Sequence, residues 1–175
     1  MTPGTTSAPT RPGLPTVEQV RAIPPSDSKV APPEWEDGNG HVNVAAYYTF
    51  HMAATGGVMA ELGWSEDYRE RTGRSIFSVE QHIRFYDEVM VGHEVSTHFR
   101  LLDRNERFLH GISVLVNRTT DRIANTLEVV EAHVDLETRR TSPFLPQLAD
   151  SLDLVLTRHR ALDWSIPLNR GMGLR

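Results

Sequence analysis

The sequence predicts an α+β domain in which one long, broadly apolar helix precedes a run of antiparallel strands. Val44 to Leu62 sets Ala46, Tyr47, Phe50, Ala53, Ala54, Val58, Met59 and Leu62 at helical spacing, so this helix is expected to be mostly buried. Beyond residue 75 the apolar period changes to two, in four successive segments separated by short polar turns. A length of 175 residues suits one domain with tails.

Residues 1–28 read as a proline-rich leader, because 8 of the 11 prolines lie in residues 1–33. Such a segment buries too little apolar surface to offset its ordering entropy, so the leader is expected to be largely disordered. Thr16 to Ala22 can still make one or two helical turns before Pro24 and Pro25 stop them. Residues 29–36 read as a short extended edge, since two prolines exclude a central strand. The loop DGNGHVN follows, with Asn43 placed to cap the long helix and Gly63 to end it.

A short helical turn is expected at Glu66–Arg71. In the strand near 75–86, Phe77, Val79, Ile83 and Phe85 are expected on one face and Ser78, Glu80, His82 and Arg84 on the other. Val95, Thr97, Phe99 and Leu101 alternate in the next strand, Phe108, Ile112, Val114 and Val116 in the third, and residues 126–134 form the fourth. Residues 147–160 read as a helix with Leu148, Leu152, Val155 and Leu156 on one side. The domain therefore runs over 29–141, followed by a C-terminal helical extension over 142–175. Nothing after the meander looks large enough to cover the far side of the long helix, which predicts a homodimer or a homotetramer.

Composition removes several chemistries. With no cysteine there is no thiol nucleophile, iron–sulfur cluster or thiolate zinc site. Lys29 is the sole lysine, so Schiff-base chemistry has a single candidate. A formal net charge of −5 argues against nucleic acid as a partner. No window reaches the ~18 apolar residues of a membrane span, and the N-terminus has no apolar signal core, so no membrane partner is expected and the location expected is the cytoplasm. His93, His98, His110 and His133 show no pair at metal-ligand spacing; no metal and no cofactor are expected. There is no G-x-S-x-G elbow and no phosphate-binding P-loop.

The chemistry concentrates in Asp37-Gly38-Asn39-Gly40-His41-Val42-Asn43. Asp37, Asn39 and His41 would stand at the start of a buried helix, where unpaired N–H groups of Asn43, Val44 and Ala45 carry partial positive charge and can stabilise an oxyanion. A carboxylate beside such donors can act as base or nucleophile toward an acyl group. The same residue types also make ordinary turns and caps. Five aromatic residues, Trp35, Tyr47, Tyr48, Phe50 and Trp64, lie close to the loop in sequence.

Asp37-x-Asn39-x-His41-x-Asn43, followed by Tyr47 and Tyr48 on a long helix, resembles the active-site segment of hotdog-fold thioesterases. These include the 4-hydroxybenzoyl-CoA thioesterase-like enzymes and, for this spacing, plant acyl-carrier-protein thioesterases. The phrases PEWEDGNGHVN, GRSIFSVEQHIRFYDEVMVGHEV and HVDLETRR are most similar to the thioesterases of bacterial carnitine breakdown, which release glycine betaine from betainyl-CoA. The resemblance spans about Val30 to Arg140 and implies a long helix wrapped by a five-stranded, mainly antiparallel sheet. It implies an acyl-CoA substrate, Asp37 as the catalytic carboxylate, and Asn39 and His41 as groups that position substrate or nucleophile. Trp35, Tyr47, Tyr48, Glu80 and His82 are its candidate substrate-binding residues. Arg104, Arg107, Arg118, Arg122, Arg139 and Arg140 are candidates for the coenzyme phosphates. A non-catalytic acyl-CoA binder and a hotdog enoyl-CoA hydratase are the alternatives. The hydratase is disfavoured because His41 follows Asp37 by four positions rather than five and Gly40 replaces proline.

Overall fold

The computed structural model describes residues 13–174. Its elements are α1 (Val17–Arg21), β1 (Asp27–Val30), a 3-10 turn (Pro33–Trp35), α2 (Val44–Glu61), α3 (Glu66–Thr72), β2 (Arg74–Phe85), β3 (Glu94–Arg104), β4 (Phe108–Asn117), β5 (Arg122–Asp135), β6 (Arg140–Thr141) and α4 (Pro146–Arg160). The sheet is antiparallel with strand order β1-β3-β4-β5-β2, and the two-residue β6 pairs with β5, making six strands where five were expected. α2 lies across the inner face of this curled sheet, the hotdog arrangement. It starts where expected because the Asn43 side chain accepts the Ala46 N–H at 2.9 Å.

Two apolar clusters fill the inner face. At the start of α2, Ala46, Tyr47 and Phe50 pack on Val42, Val89, Val95 and Leu115. At its far end, Met59 joins Tyr68, Ile76, Phe99, Leu101 and Leu127. That second cluster also contains Leu148, Leu152 and Leu156, one per turn of α4. α4 thus helps to close the far end of the sheet's inner face, packing on β3. Burial of the fully enclosed Leu152 side chain alone stabilises by about 1.5–3 kcal/mol.

The outer face is covered too. Val20 and Ile23 from the leader, and Trp164 and Ile166 from the tail, pack against Ile112, Val114, Val116 and Ile123. β4 and β5 are consequently buried on both faces, unlike a meander with one wet side. Residues 13–28, read from sequence as part of a loose leader, are built into this layer through α1, and through β1 into the sheet. Residues 1–12 lie outside the described region.

The alternation expected in β2 is broken. Ser78 lies opposite Glu131 but Glu80 lies opposite Val130, so Val79 forms a bulge and is 54% exposed. Before the bulge Ile76 faces inward; after it Ile83 does. Phe77 is therefore turned away from Ile83, with the Arg139 guanidinium 4.8 Å from its ring centre, and Ser78 turns inward to Glu131. One extra residue inverts the parity of everything beyond it.

Candidate active site

The loop between the 3-10 turn and α2 closes on itself. Glu36 and Val42 form an isolated antiparallel bridge, the Asp37 N–H donates to the His41 carbonyl at 2.9 Å, and the Gly40 N–H donates to the Asp37 carbonyl at 3.1 Å. Gly40 has φ +83°, a left-handed conformation that glycine adopts without strain. The loop is tied to the helix start by Asn43, whose backbone and side-chain N–H groups both donate to the Trp35 carbonyl at 2.8 Å.

Asp37 is the centre of this loop. Its Oδ1 accepts the Asn39 N–H at 2.8 Å, and its Oδ2 lies 3.5 Å from both Asn39 Nδ2 and His41 Nδ1. The Asn39 N–H, helped by His41, holds the carboxyl below the usual carboxylate range, so Asp37 is ionised at neutral pH. His41 Nδ1 also lies 3.2 Å from the Val42 carbonyl, which only accepts, so this geometry puts the ring proton on Nδ1. Asp37, Asn39 and His41 are thus brought together as the sequence suggests.

Of the three N–H groups proposed for an oxyanion, that of Asn43 is spent on Trp35. Those of Val44 and Ala45 are the first two of an 18-residue helix, and both residues are exposed. Among the described residues neither N–H has an acceptor.

The remaining candidates separate. Tyr47 is 4% exposed, its ring edge-on to Phe85 at 5.3 Å and its hydroxyl accepting the Val89 N–H at 2.9 Å. It is a core residue, and burial raises its pKa. Tyr48 is 41% exposed. Trp35 is half-buried against Phe50, at 5.6 Å between ring centres. The Lys29 ammonium sits over the same pair, 4.6 Å from Phe50 and 5.7 Å from Trp35, so a cation of the chain itself takes these ring faces. Glu80 and His82 fall on the outer face of β2, opposite Val130 and Glu128. There His82 meets Arg84 and Asn169, and Arg84 also donates to the carbonyls of Pro167 and Leu168, strapping the tail down. Those contacts are structural and lie across the sheet from α2.

Of the arginines considered for phosphate, Arg104 pairs with Asp153, Arg122 with Asp87, and Arg139 covers Phe77. Arg107, Arg118 and Arg140 are exposed. Among the described residues no group of three or more His, Cys, Asp and Glu could hold a metal ion, and no helix is long and apolar enough to cross a membrane.

Sequence reasoning missed a buried polar chain beneath α2. His51 is fully enclosed, with Nδ1 2.7 Å from Ser113 Oγ and Nε2 2.5 Å from Asn125 Oδ1. Burial holds its pKa down at about 4, so the ring is neutral. His51 lies four residues after Tyr47 and four before Thr55 on the buried face of α2, and that spacing was the available signal.

Comparison with known proteins decides the family. The profile of the thioesterase-like superfamily matches residues 31–152. The chain belongs to the thioesterase-like superfamily. It is a thioester hydrolase of the hotdog fold, as that family and the sheet around α2 agree. The betainyl-CoA thioesterase of Pseudomonas aeruginosa is 31% identical over 141 residues, covering 81% of this chain and 86% of that protein. A Staphylococcus aureus protein solved in complex with CoA superposes with a TM-score of 0.74 at 19% identity, covering 85% of this chain and 91% of the other. The 1,4-dihydroxy-2-naphthoyl-CoA thioesterase of Synechocystis gives a TM-score of 0.66 at 13% identity, covering 75% of this hotdog thioesterase and 96% of its own chain.

Proposed function

We propose that this thioesterase hydrolyses betainyl-CoA to glycine betaine and coenzyme A, with Asp37 as the catalytic carboxylate. The observation that carries the catalytic assignment is an ionised Asp37 in a closed loop directly before a helix whose first two N–H groups are free. The acyl group is read from the similarity to the Pseudomonas aeruginosa enzyme.

In the reaction the thioester oxygen gains negative charge as the carbonyl carbon becomes tetrahedral. The N–H groups of Val44 and Ala45, at the positive end of α2, are the donors for that charge. Asp37 either takes a proton from the attacking water or itself attacks the carbon to give a mixed anhydride that water then opens. In both routes the C–S bond breaks and the sulfur leaves as thiolate and takes up a proton. The acid product gains its oxygen from water in the first route, and from Asp37 in the second when water opens the anhydride at the Asp37 carbonyl and leaves its own oxygen there. Asn39 and His41 hold the carboxylate in place. Arg107, Arg118 and Arg140 are exposed candidates for the phosphates of coenzyme A, with Arg107 and Arg118 at opposite ends of β4.

The active unit is a homodimer in this reading. β2 ends the sheet with its outer edge unpaired among the described residues, and α2 exposes Val44, Tyr48, Ala53, Gly56 and Gly57. The test is release of free thiol from betainyl-CoA. Asp37→Asn should lose most turnover while keeping the wild-type elution volume and circular dichroism, and near-wild-type turnover in that variant overturns the assignment. A single turnover in 18O-water separates the two routes, since only the anhydride route places label in Asp37.

A further inference from the structure

The loop that carries Asp37 is tied mostly to itself. Among the described residues, the hydrogen bonds of residues 36–43 stay within the segment 33–47, with one exception. That exception is the Val42 N–H, which donates to the Val89 carbonyl at 2.8 Å. Val42 follows His41, whose carbonyl accepts the Asp37 N–H at 2.9 Å and whose Nδ1 lies 3.5 Å from the Asp37 carboxylate. The position of Asp37 relative to the sheet is therefore set largely through Val89.

Val89 is 1% exposed and lies in the connection from β2 to β3. Both ends of that connection are fixed. The Tyr86 and Asp87 N–H groups donate to the Ala124 carbonyl on β5 at 2.8 and 3.1 Å. At the other end the Gly92 N–H donates to the Ala31 carbonyl and the Ala31 N–H to the His93 carbonyl, each at 2.8 Å. Between these anchors the Val89 N–H donates to the hydroxyl of Tyr47, in the first turn of α2, at 2.9 Å. Val89 thus joins both halves of the candidate site. Its carbonyl holds the Asp37 loop, and its N–H engages the helix turn that offers the Val44 and Ala45 N–H groups.

We infer that Tyr47 is a positioning residue for thioester hydrolysis: by receiving the Val89 N–H, its hydroxyl fixes the residue from which the Asp37 loop hangs. This rests on the reading of Asp37 as the catalytic carboxylate. Without the hydroxyl the buried Val89 N–H loses its acceptor, and the carbonyl that holds Val42 shifts with it. A displacement of about 1 Å at a reacting group can cost about a hundredfold in rate.

The test is Tyr47→Phe, which keeps the ring and its contact with Phe85. Turnover is read as thiol release from betainyl-CoA or acetyl-CoA, whichever the wild type hydrolyses faster. The variant should lose about tenfold to a hundredfold in kcat with KM within about twofold of wild type. In an Asp37→Asn background the same change should cost less than about twofold, because the carboxylate it positions is gone. An unchanged kcat, or an equal loss in both backgrounds, overturns the role of Tyr47. Near-wild-type turnover in Asp37→Asn alone overturns the reading of Asp37 instead. Amide hydrogen exchange carries the test should turnover in Asp37→Asn fall below detection: Tyr47→Phe should speed exchange at Val42 and Asp37 and leave Leu127 in β5 unchanged. Unchanged exchange at Val42 overturns the positioning role whatever Asp37 does. Should the Phe variant not fold, the wild-type amides of Val42 and Val89 should be protected together, and an unprotected Val42 overturns the inference.

Discussion

Acidification tests the buried histidine that anchors α2. His51 lies fully enclosed between Ser113 and Asn125, and its pKa drops from an ordinary 6.5 to about 4. Between those values the unfolded chain binds a proton that the folded chain does not, so stability rises with pH across that window. The contribution of His51 is complete above 6.5 and is lost as pH falls through about 4. At about 1.4 kcal/mol per pH unit, the interval from 6.5 to about 4 amounts to about 3 kcal/mol. His51→Gln removes the titration and leaves the Ser113 hydroxyl without its acceptor, at a cost of about 1–3 kcal/mol at neutral pH. Urea unfolding of both proteins at one fixed concentration, at about pH 7, 6, 5 and 4, reads the difference directly. Wild type should lead at pH 7 and lose about 3 kcal/mol of that lead by pH 4. A lead that stays constant over the series refutes the claim that His51 is buried as the neutral base.

Further outcomes follow from particular contacts. A Cβ on Gly111 would run into Phe99 Cζ and stand 2.7 Å from its Cε2, so Gly111→Ala should cost about 1–3 kcal/mol in chemical denaturation, and an unchanged midpoint would mean that Phe99 moves freely. Because Asp37 is held below the usual carboxylate range, the acid limb of kcat/KM should lie below the ordinary value of 3.8, and an inflection near pH 5–6 would point to another group. The exposed, small-residue side of α2 should be intolerant of charge, so Ala53→Glu should shift the mass measured by light scattering from dimer to monomer.

The loop before α2 was legible because its geometry is local. A turn of two glycines, an Asn cap and side chains at positions 37, 39 and 41 fix one another within seven residues, and the hydrogen bonds from Asn39 and Asn43 follow from that spacing. The long helix and four alternating strands were legible for the same reason, since periods of 3.6 and 2 are properties of the backbone. The face of β2 was not. A bulge at Val79 has no composition of its own, and it moved Ser78 inward while leaving Glu80 and His82 on the far side of the sheet. The role of the tail was also hidden, because Trp164, Ile166 and Asn169 find their partners in the sheet on strands that lie more than 30 positions away.

By itself the sequence determined the class of fold, the start of the long helix, and the cluster of Asp37, Asn39 and His41 before it. Tertiary structure decided which side chains the chain uses on itself. Lys29 covers Trp35 and Phe50, Tyr47 fills the core, and α4 closes the far end of the sheet's inner face. It also left Glu131 buried beside a single hydroxyl. Those outcomes depend on contacts between residues far apart in the chain, where burial and the satisfaction of polar groups, rather than local spacing, select the arrangement.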